Sequence, residues 1–214
     1  MKLLKSGLFI SIFSLPILLL LSACGGGEEN ATGSVTAKFT VASLSSELPI
    51  NQPTSELNWF EYRWAVIFDT DNDNQISAGD LKLMLFHINQ VGGQPANVSP
   101  AEMQASVFVL SKDGISTDGD LVANANVSVE GSTITLSVAK AAYSGLADIK
   151  PTTGVYFHTI GYDSTGTQFH DVYPSLNIYT DVPSTDGFID TIDPYDANGF
   201  DAVDLQSMEI IITE

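Results

Sequence analysis

Residues 69–80, called the acidic loop below, combine residue types and spacing that suit a metal ion. Side-chain oxygens fall at loop positions 1, 3, 5, 9 and 12, on Asp69, Asp71, Asp73, Ser77 and Asp80. A hard divalent cation takes about six to eight oxygen ligands at about 2.3–2.6 Å, and oxygens with this spacing can wrap around one point. The loop is therefore the first candidate for chemistry in this chain.

The acidic loop resembles EF-hand calcium loops, and more closely the dockerin-type loops that end in aspartate. The resemblance implies calcium as the cofactor and gives each position a role. The implied ligands are the side chains of Asp69, Asp71 and Asp73, the backbone carbonyl of Gln75, Ser77 directly or through water, and the final carboxylate of Asp80.

Two positions depart from that pattern. Asn74 stands where glycine is usual, and Asp80 is one methylene shorter than the usual glutamate. Asparagine tolerates the left-handed backbone, so we expect the turn to be retained, whereas the shorter carboxylate lowers the expected affinity. Magnesium is the less favoured ion because it prefers stricter octahedral geometry with fewer protein ligands. The alternative is an acidic hairpin without an ion, in which four aspartates repel one another.

A second candidate metal site depends on the register of a predicted hairpin between residues 155–162 and 167–173. If Tyr162 faces Thr167, His158 and His170 point to opposite faces of the sheet. A register that differs by one residue puts both histidines on the same face. Only that second register is compatible with a transition-metal site of the two histidines and Asp171, and histidines without a metal are the expected outcome.

Two further acidic stretches could hold ions or be solvated turns. The first is the turn with Asp113, Asp118 and Asp120. The second is the C-terminal stretch 181–204, the most acidic part of the chain, with Asp193, Asp196, Asn198, Asp201 and Asp204. Their spacing does not match that of the acidic loop, so a calcium site there would be less regular.

The segments on both sides of the acidic loop read as strands. Residues 59–68 alternate with period 2, and one face is wholly apolar, formed by Phe60, Tyr62, Trp64, Val66 and Phe68. We expect these aromatics in the core, with a sugar-stacking platform as the alternative. Residues 81–88 follow the loop and are mostly apolar, although their leucine, lysine and methionine would also suit a helix. The prediction is strand–loop–strand, in contrast to the helix pair of an EF-hand.

The remaining pattern predicts an all-β fold. Alternating segments, glycine turns and few helical stretches favour a single β-sandwich, jelly-roll or Ig-like, of about eight or nine strands, with the calcium loop between two of them. No long repeat and no second linker are visible, so residues 35–214 form one predicted domain.

The N-terminus resembles that of bacterial lipoproteins. Lys2 and Lys5 precede an apolar run over residues 8–21, and Leu21-Ser-Ala-Cys24 matches a lipobox. The resemblance implies a signal peptide over residues 1–23, diacylation of Cys24 and stable membrane anchoring through its lipid chains. Residues 24–34 then form a flexible tether. An ordinary secretory signal with an incidental cysteine is the alternative.

Composition narrows the classes of partner. In Gram-negative lipoproteins, aspartate after the lipidated cysteine favours the inner membrane, so the resemblance implies that Gly25 directs the protein to the outer membrane if the source is Gram-negative, with the domain either periplasmic or surface-facing. The net charge of −18 argues against nucleic acid as a partner. Cys24 is the only cysteine, so an intramolecular disulfide and a zinc–thiolate site are both excluded.

The favoured function is a non-catalytic module that binds a glycan or an envelope protein. Aromatic side chains that could stack on a ligand are Trp59, Tyr173, Tyr179 and Tyr195. The second hypothesis is a structural or assembly lipoprotein without a small ligand. The third is a glycan-active enzyme that uses aspartate pairs, although no nucleophile elbow, HExxH motif or Ser–His constellation is visible.

Overall fold

The computed structural model describes residues 32–50, 60–88, 97–111, 119–162, 168–169, 171–173, 176–177, 182–183 and 201–214. These ranges contain β-strands and three short 3₁₀ turns, at Pro100–Glu102, Lys140–Ala142 and Ser144–Asp148. The described part has no helix with the length and apolar character that a membrane span requires. The strands are β1 Ser34–Val41, β2 Leu48–Pro49, β3 Phe60–Asp69, β4 Leu81–Ile88, β5 Asn97–Val98, β6 Gln104–Leu110, β7 Gly119–Asn124, β8 Asn126–Glu130, β9 Thr133–Ala139, β10 Gly154–Tyr162, β11 Gln168–Phe169, β12 Val172–Tyr173, β13 Leu176–Asn177, β14 Val182–Pro183 and β15 Leu205–Ile212.

Two antiparallel sheets form the body of the domain. The smaller sheet has the order β15-β1-β9-β8. The larger sheet has the order β11-β10-β3-β4-β6-β7, and β12 also pairs with β10. Two short ribbons, β2-β5 and β13-β14, complete the described strands. The prediction of an all-β sandwich is confirmed.

The core lies between the two sheets because each sheet buries one face of alternating residues. In β1 every second side chain is buried, beginning with Val35 and ending with Val41. Phe39 of β1 meets Phe157 of β10 edge-to-face, with ring centroids 5.3 Å apart and an interplanar angle of 74°. The side chains that β3 contributes to the same core are Tyr62, Trp64, Val66 and Phe68. These aromatics are core residues, as predicted, and do not form a sugar platform.

The opposite face of β3 is also buried, which the alternating pattern did not predict. Ala65 and Ile67 are fully buried there, and so is almost all of Arg63. The reason is position, because β3 and β4 lie in the middle of the larger sheet, where both faces can be covered. The acidic loop, which joins these two strands, therefore leaves from the centre of the sheet.

A segment of consecutive 3₁₀ turns carries the chain from β9 in the smaller sheet to β10 in the larger one. Leu146 and Ile149 are fully buried in the core and fasten this segment. Tyr143 is half-buried and packs against the same core. The exposed side of the segment is thereby held close to the acidic loop, as described below.

We expect Phe39→Ala to lower the free energy of unfolding by about 3–5 kcal/mol, because it removes a fully buried ring that joins the two sheets. Chemical denaturation measures the change. Leu121→Ala is the control, because Leu121 is 54% exposed in β7 and its truncation should change stability by no more than about 0.5 kcal/mol. Equal losses in the two variants would contradict the assignment of Phe39 to the core.

Candidate metal centre

The acidic loop connects two paired strands, as predicted. Phe68 of β3 lies opposite Leu81 of β4, so the loop closes directly on the strand ends. Gly79 N–H donates to the carbonyl of Leu110 over 2.9 Å, and Leu110 N–H donates to the carbonyl of Asp80 over 2.8 Å. These hydrogen bonds attach the end of the loop to β6. The loop is therefore held on the larger sheet by β4, into which it continues, and by the neighbouring strand β6.

Three residues give the loop its left-handed turns. Asn72 and Asn74 have φ values of 58° and 62°, and Gly79 has a φ of 103°. Asparagine visits the left-handed region more easily than most residues, whereas glycine carries no penalty there. The predicted left-handed conformation at Asn74 is therefore present.

Three aspartates converge on one point. Asp69, Asp71 and Asp73 each present a carboxylate oxygen, and these oxygens lie within 4.8 Å of one another. Asp69 is buried at the end of β3, and Asp71 and Asp73 are exposed. Such a group of hard oxygens can hold a metal ion, and its oxygen chemistry suits a hard divalent cation.

The Asp69 carboxylate is oriented by the backbone of the loop. It accepts the Asp73 N–H over 3.1 Å and the Asn74 N–H over 2.8 Å. The Gln75 N–H donates to Asp73 Oδ1 over 2.7 Å, so the next carboxylate is oriented as well. These hydrogen bonds give backbone donors of the turn acceptors inside the loop.

Asp80 stands apart from the three-aspartate group. It is 1% exposed, and its two oxygens accept the N–H groups of Thr70 and Ser77, each over 2.8 Å. Asp80 thereby ties the first and last turns of the loop together. The roles of Gln75, which is exposed, of Ser77, which is half-buried, and of Asp80 as metal ligands stay predictions.

Burial changes the acidity of the groups around the loop. It raises the pKa of Asp69, and the neighbouring Asp71 adds to this rise, whereas the Asn74 and Asp73 N–H groups oppose it. Burial likewise raises the pKa of Asp80 against the opposing N–H groups of Ser77 and Thr70. Because protons and a metal ion compete for the same oxygens, metal binding must release any proton held there.

An apolar anchor fixes the loop from below. Ile76, at loop position 8, is 2% exposed and packs in a small cluster with Ile67, Leu110 and Tyr156. Burial, followed by the charges of the loop aspartates, raises the pKa of Tyr156 to about 12. The packing of Ile76 thus holds the loop on the outer face of the larger sheet. The negative charges of the loop carboxylates act on Tyr156 in the same cluster.

The predicted histidine site lies partly outside the described residues, because His170 is not among them. The observed pairing joins Tyr162 to Gln168 and His158 to Val172, which is the second of the two registers considered above. Thr159 N–H donates to the carbonyl of Asp171, which assigns Asp171 to the face of the sheet opposite to that of His158. The buried Asp171 carboxylate instead accepts the Leu205 N–H over 2.7 Å, and so connects β10 to the start of β15.

The other predicted sites fall mostly outside the described residues. Those outside are Cys24, Trp59, Asp113, Asp118, His170, Tyr179, Asp193, Tyr195, Asp196 and Asn198. Tyr173 lies opposite Phe157 in the pairing of β12 with β10. Asp120 is exposed in β7, and Asp204 accepts a hydrogen bond from the Gln206 amide over 2.8 Å. The second calcium site therefore stays a prediction.

Sequence reasoning missed a cleft beside the acidic loop. The cleft has a volume of about 440 Å³, and Thr70, Asp71 and Gly79 line one wall. Tyr143, Asp148 and Lys150 line the other wall. No local pattern marks these three residues, because they lie far along the chain from the loop and meet it only in the folded domain.

Comparison of the chain with protein-family models, curated proteins and solved structures finds no match.

We expect Asn74→Ala to lower the free energy of unfolding by about 1–2 kcal/mol, because alanine has no side chain to compensate for a left-handed backbone. Asn74→Gly should keep or raise stability. Gln75→Ala is the matched control, since it removes an exposed amide from the same loop at a position without positive φ. Thermal unfolding of the metal-free protein measures all three, and an Asn74→Ala variant as stable as the parent would contradict the prediction.

Proposed function

We propose that this protein is a calcium-stabilised β-sandwich, anchored to the outer membrane through lipidated Cys24, that serves as a non-catalytic module for binding a glycan or an envelope protein. The observation that carries the proposal is the convergence of Asp69, Asp71 and Asp73 within 4.8 Å in the loop between β3 and β4. The Cys24 anchor is supported by the lipobox-like sequence that precedes it.

Calcium is the ion that best suits the loop. The available donors are carboxylate, carbonyl and hydroxyl oxygens on an irregular backbone, and calcium accepts variable geometry with six to eight such ligands, roughly. The proposed ligands are Asp69, Asp71, Asp73 and, through closer approach on metal binding, the Gln75 carbonyl, Ser77 and Asp80. The ion would offset the repulsion between the carboxylates and stabilise the folded state by mass action.

A stabilising role explains why the loop lies where it does. The two strands that it joins are central in the larger sheet, and its anchor Ile76 is buried on that sheet. Ordering the loop therefore stabilises the pairing of β3 with β4 and the packing beneath it. An exported domain whose only cysteine is the proposed lipid anchor has no disulfide to do this work.

Calcium should raise the melting temperature of the purified protein, and a chelator should lower it again. At a free concentration about 100-fold above the dissociation constant, the ion adds about 2.7 kcal/mol, which corresponds to a shift of about 5–10 °C for a chain of this size. Magnesium at the same concentration should give a smaller shift. Differential scanning calorimetry across a calcium titration measures the effect.

Variants of exposed loop aspartates test the assignment of the site. Asp71→Asn and Asp73→Asn each remove one negative ligand without disturbing the core, and should abolish most of the calcium-induced shift. Asp120→Asn is the matched control, an exposed aspartate in β7 outside the loop, and should leave the shift unchanged. A melting curve of the parent protein that calcium does not move would overturn the proposed calcium site.

The parent protein should carry lipid chains on Cys24 as its first residue, whereas Cys24→Ser should carry no lipid chain and should keep residues 1–23, because the cysteine is required both for acylation and for cleavage of the lipobox. Mass spectrometry of the N-terminal peptide measures the acylation and the cleavage. An unmodified Cys24 in the parent protein would refute the anchor while leaving the calcium site unaffected.

A further inference from the structure

The cleft beside the acidic loop has the dimensions of a ligand site. Its volume of about 440 Å³ falls within the range of about 300–1,000 Å³ that is usual for small-molecule pockets. One wall is the acidic loop and the other is the segment after β9, with the buried Leu81 between them. The cleft therefore spans two parts of the chain that only the folded domain brings together.

An aromatic ring is held in one wall. A side-chain carbon at position 145 would lie 2.7 Å from Cε1 of Tyr143, so any residue other than glycine there would displace the ring from its present position. Tyr143 also packs against the core, which restricts its movement. Such a ring presents an apolar surface and a hydroxyl at low entropic cost, the combination that stacks on the face of a sugar.

The other polar groups of the cleft match hydroxyl-rich ligands. Asp148 accepts hydrogen bonds, Lys150 donates them, and the Thr152 hydroxyl does both. All three side chains are exposed. Neighbouring hydroxyls of a sugar are donors and acceptors at once, so a wall with both kinds of group can satisfy them, whereas an apolar ligand would leave these groups desolvated.

Charge decides between neutral and anionic ligands. The negative charges around the cleft are those of the four loop aspartates and Asp148. The positive charges are those of Lys150 and of one divalent ion when it is bound. The site therefore stays net negative even with calcium present. A phosphate, sulfate or uronate group would meet like charge there, which is unfavourable.

We propose that the cleft between Asp71 and Tyr143 binds an uncharged saccharide in a calcium-dependent manner. The proposal rests on the calcium site proposed above, because Asp71 belongs both to the three-aspartate group and to the cleft wall. Calcium holds Asp71 in place and so orders that wall. By linkage, the bound saccharide raises the affinity for calcium by the same factor.

An array of neutral and acidic oligosaccharides, probed with the full-length protein in detergent, tests the proposal. With calcium the protein should bind neutral glycans, and a chelator should weaken that binding by about tenfold or more. Tyr143→Ala should cause a similar loss and Tyr143→Phe a smaller one. Lys150→Ala and Asp148→Asn change exposed side chains, so they test the same cleft without risk to folding. Leu121→Ala is the control, because Leu121 lies outside the cleft.

The melting temperature of each sample, with and without calcium, separates this proposal from the calcium site. If calcium raises the melting temperature but no neutral glycan binds, the saccharide site is overturned and the calcium site stands. The saccharide site would also be overturned if the protein bound only acidic glycans, if the cleft variants did not change glycan binding, or if glycan binding persisted in chelator. It would be overturned as well if the cleft variants abolished binding of a protein partner and neutral glycans did not compete with that partner.

Discussion

Repulsion among four aspartate carboxylates opposes the closure of the loop that joins the two central strands of the larger sheet. The backbone supplies part of the compensation. Asn74 and Asp73 N–H groups point at Asp69, and Thr70 and Ser77 N–H groups point at Asp80. Burial works in the opposite direction and raises the pKa of both buried carboxyls. The proposed divalent cation would resolve this conflict.

The same loop links the candidate ion site to the rest of the domain in two ways. Ile76 seats it on the outer face of the larger sheet, beside Ile67 and Tyr156. Asp71 and Gly79 form a wall of the cleft whose other wall carries Tyr143. A change in the order of the loop therefore reaches both the packing of the sheet and the shape of the cleft. The proposed calcium site, the stability of the fold and the proposed ligand site would thereby be coupled through one short segment.

Local pattern predicted much of the fold, because strands with one buried face carry a period of two. The strand before the loop, the strand after it and the burial of Trp64 and Phe68 were all predicted in this way. The burial of Arg63 on the opposite face was not, since it depends on the position of β3 in the middle of the sheet. The pairing of His158 with Val172 was also beyond prediction, because the alternating pattern allows two registers of that hairpin.

By itself, the sequence determined the all-β class, the strand–loop–strand unit and the candidate oxygen donors in residues 69–80, because these follow from periodicity and from spacing along a short stretch. Tertiary structure alone decided which aspartates converge and which one ties the loop together, since Asp80 turns to the N–H groups of Thr70 and Ser77. It also decided that Tyr143, far away in the chain, lies across a cleft from Asp71. The physical reason is that such contacts arise from strand order and register, which depend on the packing of the whole domain.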